Sequence, residues 1–472
     1  MRILMVASEA MPFSKTGGLA DVIGALPPAL KQLGNEVAVI TPAYRSNQYP
    51  GPVREVYRNL HVSIDRGFNV DIYEAIERDV PFYFVDCPPL FDRDGLYGDG
   101  GADYPDNHIR FAVFSMAALT AARHLFHPQV IHCHDWQSGL VPVYMHQFFQ
   151  GDPYLLATKV LFTIHNLGYQ GLFPGSVLPQ IAVSPSLFTP AGIEFYGQVN
   201  LLKGGIVFSD AVSTVSKGYA REIQTPEYGF GLEHLLRTRA DVLTGIVNGV
   251  DYLEWNPETD PHIEQNYSLS DLSGKLACKR ALLEEMGLPS DNLDRPVFGI
   301  VSRFVDQKGF DLIAQIADEV AGLDIAMTVL GSGELRYESM FQDLASAFPD
   351  KFAVRIGYDN GLAHRIEAGA DMFLMPSRYE PCGLNQIYSL KYGTIPVVRA
   401  TGGLDDTIEP ETGFKFSEYA GWALFGAMET AASAYRNREK WTEMMLRAMS
   451  RDFSWAASAK EYQSVYEGIL SH

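Results

Sequence analysis

The chain has 472 residues, too many for one ordinary core, so its length suggests two or three domains. Apolar residues make up 47% and charged residues 20%, a globular balance rather than that of a disordered chain. Lys plus Arg number 37 against 57 Asp plus Glu, a formal net charge of −20. That surface repels nucleic acid and anionic membranes, so neither is expected as a partner, and any phosphate site must gather basic residues locally.

The elements follow in chain order. The apolar run Met1–Ala7 stops before Glu9 and reads as a buried first strand, Ile3–Ala7, rather than a signal sequence. Further strands are expected at Val37–Thr41, Phe82–Asp86, Val130–Cys133, Val160–Ile164 and Ala211–Val215. Helices are expected at His108–Arg123, Gly139–Phe149, Asn200–Phe208 and Lys217–Gln224, and an inserted β-meander at Val53–Ile64 and Val70–Glu77. Asn-Gly, Asn-Pro and Asp-Pro turns in Asn248–Asp260 mark an interdomain connection. The pattern then restarts, with strands at Val297–Val301, Ala326–Leu330, Ala353–Ile356, Met372–Met375 and Ile395–Val398, and helices at Gly309–Ala321, Glu334–Ala347 and Leu384–Tyr392. Ser454–Leu470 reads as a last helix with Ser454 as N-cap. No stretch reaches the roughly 18 apolar residues of a membrane helix. Strands alternating with helices indicate an α/β chain with parallel sheets.

One motif occurs twice, as Lys15-Thr16-Gly17-Gly18-Leu19-Ala20-Asp21 and as Ala400-Thr401-Gly402-Gly403-Leu404-Asp405-Asp406. Paired glycines leave backbone N–H groups bare for an anion, and a helix opening at each pair would add its positive end. Two such loops suggest two similar domains gripping one phosphate-bearing ligand. Pro27-Pro28 falls inside the helix expected after the first pair and should kink it.

Open parallel sheets bind ligands beyond the carboxyl ends of their strands. Lys15 follows the first strand as a point charge for a phosphate or a sugar oxygen. His132-Cys133-His134-Asp135-Trp136 invites a zinc reading. However, His132 and His134 are taken to alternate across the strand, and no further ligands stand at metal spacing. No metal is assigned: Asp135 and Trp136 are expected to line a pocket, with His132 a hydrogen-bonded core residue. His165 caps a buried strand, as a ligand-facing ring or as a satisfied core histidine. Arg303 and Lys308 are expected on one loop feeding a helix, a combination suited to a diphosphate. Tyr358 could stack on a base or simply pack. Glu380 stands at a strand end before a helix opening at Gly383-Leu384, where it can grip sugar hydroxyls. The four cysteines, Cys87, Cys133, Cys278 and Cys382, show no metal-like pairing and fit a reducing cytoplasm.

Taken in order, Lys15–Asp21, His134-Asp135-Trp136, His165–Gly171, Ser302-Arg303 with Gln307-Lys308-Gly309, Glu380–Leu384 and Thr401–Leu404 resemble the bacterial ADP-glucose-dependent glycogen synthases, relatives of plant starch synthases. The resemblance covers nearly the whole chain. It implies an α/β GT-B fold of two Rossmann-like domains facing across a deep cleft, over residues 1–247 and 248–453, with residues 454–472 crossing back to the first. It implies retaining transfer of glucose from ADP-glucose to the non-reducing end of an α-1,4-glucan, without a cofactor or metal. By the matching positions, Lys15 serves the diphosphate and the reacting sugar, and Arg303 and Lys308 neutralise the leaving group. Gly18, Gly383 and Leu384 supply backbone donors, Glu380 holds sugar hydroxyls, and His165 sits beside the reacting carbon. Asp135 orients its neighbours and Tyr358 stacks on adenine. Asp21, Asn166 and Cys382 complete the substrate-binding set.

Two positions depart from the family pattern. Asn385 replaces the usual threonine and would still offer an amide to phosphate, whereas Asp405 replaces a common alanine and would place negative charge near an anion site. With one strand-end carboxylate in the second half, a front-face substitution is favoured over a covalent glycosyl-enzyme. The alternatives are a UDP-glucose transferase of the same fold, a catalytically silent glucan-binding protein, and a nicotinamide oxidoreductase. The last lacks the spaced glycine fingerprint after its first strand.

Overall fold

The computed structural model describes residues 1–100 and 102–471; His472, the end of the expected third segment, lies outside them. The chain forms two compact units. One holds residues 1–215 and 220–249 together with the chain from Trp455, and the other holds residues 216–219 and 250–454.

The first unit contains β1 (Arg2–Val6), β2 (Glu36–Pro42), β3 (Arg54–Val62), β4 (Phe68–Glu77), β5 (Val80–Asp86), and the short pair β6 (Gly98–Asp99) and β7 (Ala102–Asp103). It continues with β8 (Val130–His134), β9 (Lys159–Ile164), β10 (Leu172–Pro174), β11 (Glu194–Phe195), β12 (Gln198–Asn200), β13 (Ala211–Thr214) and β14 (Leu243–Gly245). Its main sheet has nine strands in the order β14-β13-β9-β8-β1-β2-β5-β4-β3. From β14 to β5 the pairing is parallel; β4 and β3 add antiparallel at the edge. The parallel strands are covered on both faces, so they read as unbroken apolar runs, whereas β3 is largely exposed and polar.

Gly18–Gln32 is one helix despite Pro27 and Pro28. Its buried stripe, Leu19, Val22, Ile23, Leu26 and Leu30, follows helical spacing and shares a core with Trp455, Ala459, Tyr462 and Tyr466 of the last helix, Trp455–Leu470. The helix Asn107–Ala121 continues as a wider turn over Ala122–Phe126. The combined span is long and apolar enough to cross a bilayer, contrary to the sequence expectation, but 67% of its apolar window is buried inside this unit. The buried Arg110 on this helix donates from Nε to the Leu90 carbonyl and from Nη1 to Asn107 Oδ1, both at 2.7 Å.

The second unit has β15 (Val297–Phe304), β16 (Ala326–Gly333), β17 (Phe352–Ile356), β18 (Met372–Met375), β19 (Ile395–Arg399) and β20 (Phe414–Phe416). They form one parallel sheet, β17-β16-β15-β18-β19-β20. β14 and β20, three residues each, escaped the sequence reading because so short a run carries no period. The helix expected at Gly309–Ala321 is two, Phe310–Gln315 and Ala317–Gly322, broken at Ile316. Both sheets reverse their strand order once, between β1 and β8 and between β15 and β18. Such a switch point leaves a crevice outside the strand ends, and that is where a ligand fits.

Candidate active site

The first switch point carries the first glycine loop after β1 and His134-Asp135 at the end of β8. Lys15 Nζ lies 2.6 Å from Asp21 Oδ1, which gives Asp21 a definite role: it holds the lysine from the first turn of the helix. Burial raises the Asp21 carboxyl, and Lys15 opposes the shift. The loop is braced from beneath by Glu9, a residue the sequence reading left without a role. Glu9 Oε2 accepts from the Thr16 N–H, from Thr16 Oγ1 at 3.0 Å and from the Gly17 N–H at 3.4 Å. Those amides are therefore spent inside the protein. Among the described residues the Gly18 N–H meets no acceptor, so the donor falls at the helix opening.

β8 and β9 are neighbours, and their ends are stapled together. Asp135 adopts φ 56°, ψ −179°, a conformation L-residues rarely take, and its Oδ1 accepts the His165 N–H at 2.7 Å. Burial pushes the Asp135 carboxyl up to about 7; the backbone amides of His165 and Asn166 oppose this and the Glu9 charge adds to it. His165 is pushed down to about 3 by burial, so its ring is neutral in ordinary buffers. Asn166 caps its own turn, its Oδ1 accepting the Gly168 N–H at 2.9 Å at the surface. His132 is a core residue, bonded to Thr163 Oγ1 at 2.6 Å and to the Tyr466 hydroxyl at 2.8 Å. The expectation that His132 and His134 alternate is wrong: residues two apart share a strand face, and their ring centroids lie 4.0 Å apart. Trp136 is buried against Phe111 and Gly171, where an added Cβ would fall 2.5 Å from the indole.

The second switch point holds Arg303, Lys308 and Glu380. β15 runs past its expected end to Phe304, so Arg303 belongs to the strand, opposite Ser332 of β16, rather than to a loop. Its guanidinium is exposed and has no hydrogen-bond partner among the described residues. Lys308 closes a single turn, Asp306–Lys308, and its Nζ lies 2.6 Å from Glu380 Oε2. Glu380 is buried and takes a second hydrogen bond from Ser377 Oγ at 3.1 Å. Among the described residues the N–H groups of Gly383 and Leu384, at the mouth of the helix Asn385–Lys391, meet no acceptor. Tyr358 is 80% exposed beyond β17 and touches Asn360 through its hydroxyl at 3.0 Å, which rules out the packed alternative.

Three expectations change here. The second glycine pair does open a helix, Gly402–Thr407, but the Gly403 N–H donates to the Glu380 carbonyl at 3.0 Å. An added Cβ on Gly403 would fall 2.1 Å from the Cys382 carbonyl oxygen. This copy holds the 380–384 loop instead of baring that amide to an anion. Asn385 commits one of its two amide N–H groups to the Val301 carbonyl at 2.7 Å, which leaves a single N–H for phosphate. The charge on Asp405 is matched by Lys415 at 2.7 Å.

Residues 2–238 match the family model of the starch synthase catalytic domain, and residues 289–444 that of glycosyl transferases group 1. Glycogen synthase of Koribacter versatilis (strain Ellin345) is 52% identical over 476 residues, covering 99% of this chain and 98% of that one. Glycogen synthase of Anaeromyxobacter dehalogenans (strain 2CP-1 / ATCC BAA-258) is 48% identical over 479 residues, covering 99% of each. Among solved structures, the catalytic domain of starch synthase IV from Arabidopsis thaliana, bound to ADP and acarbose, matches with a TM-score of 0.91 and 33% identity, over 100% of this chain and 99% of that one. Sucrose-phosphate synthase from Thermosynechococcus elongatus shares the fold at a TM-score of 0.63 and 17% identity, over 100% and 99% of the two chains. With full-length relatives at this identity, the chain belongs to the glycogen synthase and starch synthase family of GT-B glycosyltransferases.

Proposed function

We propose that the protein transfers glucose from ADP-glucose to the non-reducing end of an α-1,4-glucan with retention of anomeric configuration. The observation that carries this reading is the second switch point. There an exposed arginine, with no hydrogen-bond partner among the described residues, stands one residue before the end of β15, and a lysine on the following turn is held by the buried Glu380. A diphosphate leaving group needs such a pair of cations. The ADP and acarbose bound to the plant starch synthase support adenine as the base and a glucan as the acceptor.

In this reading the acceptor hydroxyl attacks the anomeric carbon from the face that the diphosphate leaves. The bond from that carbon to the phosphate oxygen breaks, and the hydroxyl proton passes to the departing phosphate. Arg303, Lys308 and Lys15 take up the developing negative charge, with the amides of Gly18, Gly383 and Leu384 as further donors. Glu380 holds sugar hydroxyls while steadying Lys308. Cys382 shapes the loop that carries those amides, Asp135 and Asn166 set the backbone around His165, and Tyr358 stacks on the base. A reducing cytoplasm belongs to the same reading, supported by four free and buried cysteines.

The test is incubation of the protein with ADP-glucose and glycogen, reading the new linkage by NMR. New α-1,4 bonds support the proposal. A β-linked product, or a glucosylated side chain trapped with a fluorinated donor, contradicts front-face substitution.

A further inference from the structure

His134 has no role in the reaction as written, yet its ring touches that of His165, the residue that the family resemblance places beside the reacting carbon. It is fully buried at the end of β8, its centroid 4.0 Å from that of His132 and 5.3 Å from that of His165. Its Nδ1 lies 3.0 Å from His165 Nε2. Burial holds both rings neutral, His134 well below the usual imidazole range and His165 at about 3. Two neutral imidazoles share one proton across such a contact, so one nitrogen donates and the other accepts.

The environment of His134 decides which. Its Nε2 is buried with no hydrogen-bond partner among the described residues. An N–H placed there would be an orphaned donor, and buried orphaned donors are rarer in folded proteins than unsatisfied acceptors. The proton therefore belongs on His134 Nδ1. His132 offers no alternative partner, because its two nitrogens are taken by Thr163 and Tyr466.

We propose that His134 is a positioning residue: it donates from Nδ1 to His165 Nε2 and thereby fixes His165 as the tautomer protonated on Nδ1, leaving that N–H to meet an oxygen of the bound sugar. The second half of this statement rests on the proposed function; the first does not. An outer residue that sets the tautomer of a working histidine commonly contributes roughly 10- to 100-fold to activity, as at metal-bound histidines.

The experiment uses the full chain labelled with ¹⁵N-histidine, with His165 signals assigned by their loss in His165→Asn. The expected spectrum shows His165 protonated on Nδ1 and bare at Nε2. In His134→Leu the two His165 tautomers should mix. Its kcat with ADP-glucose and glycogen should fall roughly 10- to 100-fold, with little change in the KM for the donor. His134→Asn places an amide N–H where the imidazole Nδ1–H stood, and should restore both the spectrum and most of kcat. Wild-type His165 protonated on Nε2 overturns the proposal. So does His134→Leu with unchanged kcat, or a folded His134→Asn no better than His134→Leu. Wild-type protein that transfers no glucose defeats the functional reading instead, while the spectrum still decides the tautomer.

Discussion

Arg303 and Lys308 reach the same strand end by different means. One rides on the extended β15; the other is turned back onto Glu380 by a single helical turn. Removing a charge donor of this kind should lower kcat of Arg303→Ala by roughly 10²–10³-fold while the variant stays folded, read as initial rates against thermal unfolding. Asp135 makes a different prediction. Its carboxyl titrates near 3.8 in the unfolded chain and at about 7 in the folded one, so the folded state binds its proton more tightly. Between about pH 4 and 7 the folded state holds more protons, and stability falls as pH rises; above that window both states are ionised and the effect levels off. Asp135→Asn keeps the acceptor oxygen but not the charge. The stability of wild type relative to this variant should therefore drop from pH 4 to 7, and parallel curves would contradict the assignment. Lys308, His165 and Glu380 were legible in the sequence because each follows an apolar strand. Glu9 and His134 were not: a carboxylate beneath a phosphate loop reads as repulsive until its bonds to Thr16 and Gly17 are seen. A histidine two residues from another reveals its neighbour only once β9 is laid beside β8.

The glycine loops teach the same lesson one scale up. Both copies open a helix, and the repetition was visible in the chain, but their amides go to different places. The first pair is braced by Glu9. The second is packed onto Cys382, where no Cβ fits, and its amide ties down the loop carrying Glu380. Gly403→Ala should displace that loop by about 1 Å, the shift needed to relieve the contact with Cys382. Misplacement on that scale costs roughly 10²-fold in rate, so this substitution should mimic loss of Glu380 without touching a charged residue. Near-normal activity would show that the second loop is not a brace. The strand centres were readable from their apolar runs, whereas their ends were not. β15 gains residues through Phe304 because its ladder with β16 continues to Gly333, a tertiary pairing that no local pattern announces.

Across the whole molecule, what the sequence showed best was the doubling: two runs of strand and helix, each with a glycine loop, and a tail helix with its own apolar stripe. What it could not show was strand order, and the strand order creates the two switch points. Each unit has its own core, and the last helix is part of the first unit's core, through Trp455, Tyr462 and Tyr466. The most direct test of the central claim is a donor panel of ADP-, UDP- and GDP-glucose with glycogen as acceptor, run on wild type, Lys15→Ala, Arg303→Ala and the double variant. The account predicts strong preference for ADP-glucose, severe loss in each single variant, and a double variant much less impaired than the product of the two losses, because in the proposed reaction both cations act on one diphosphate. Equal use of UDP-glucose, or losses that simply multiply, would contradict it.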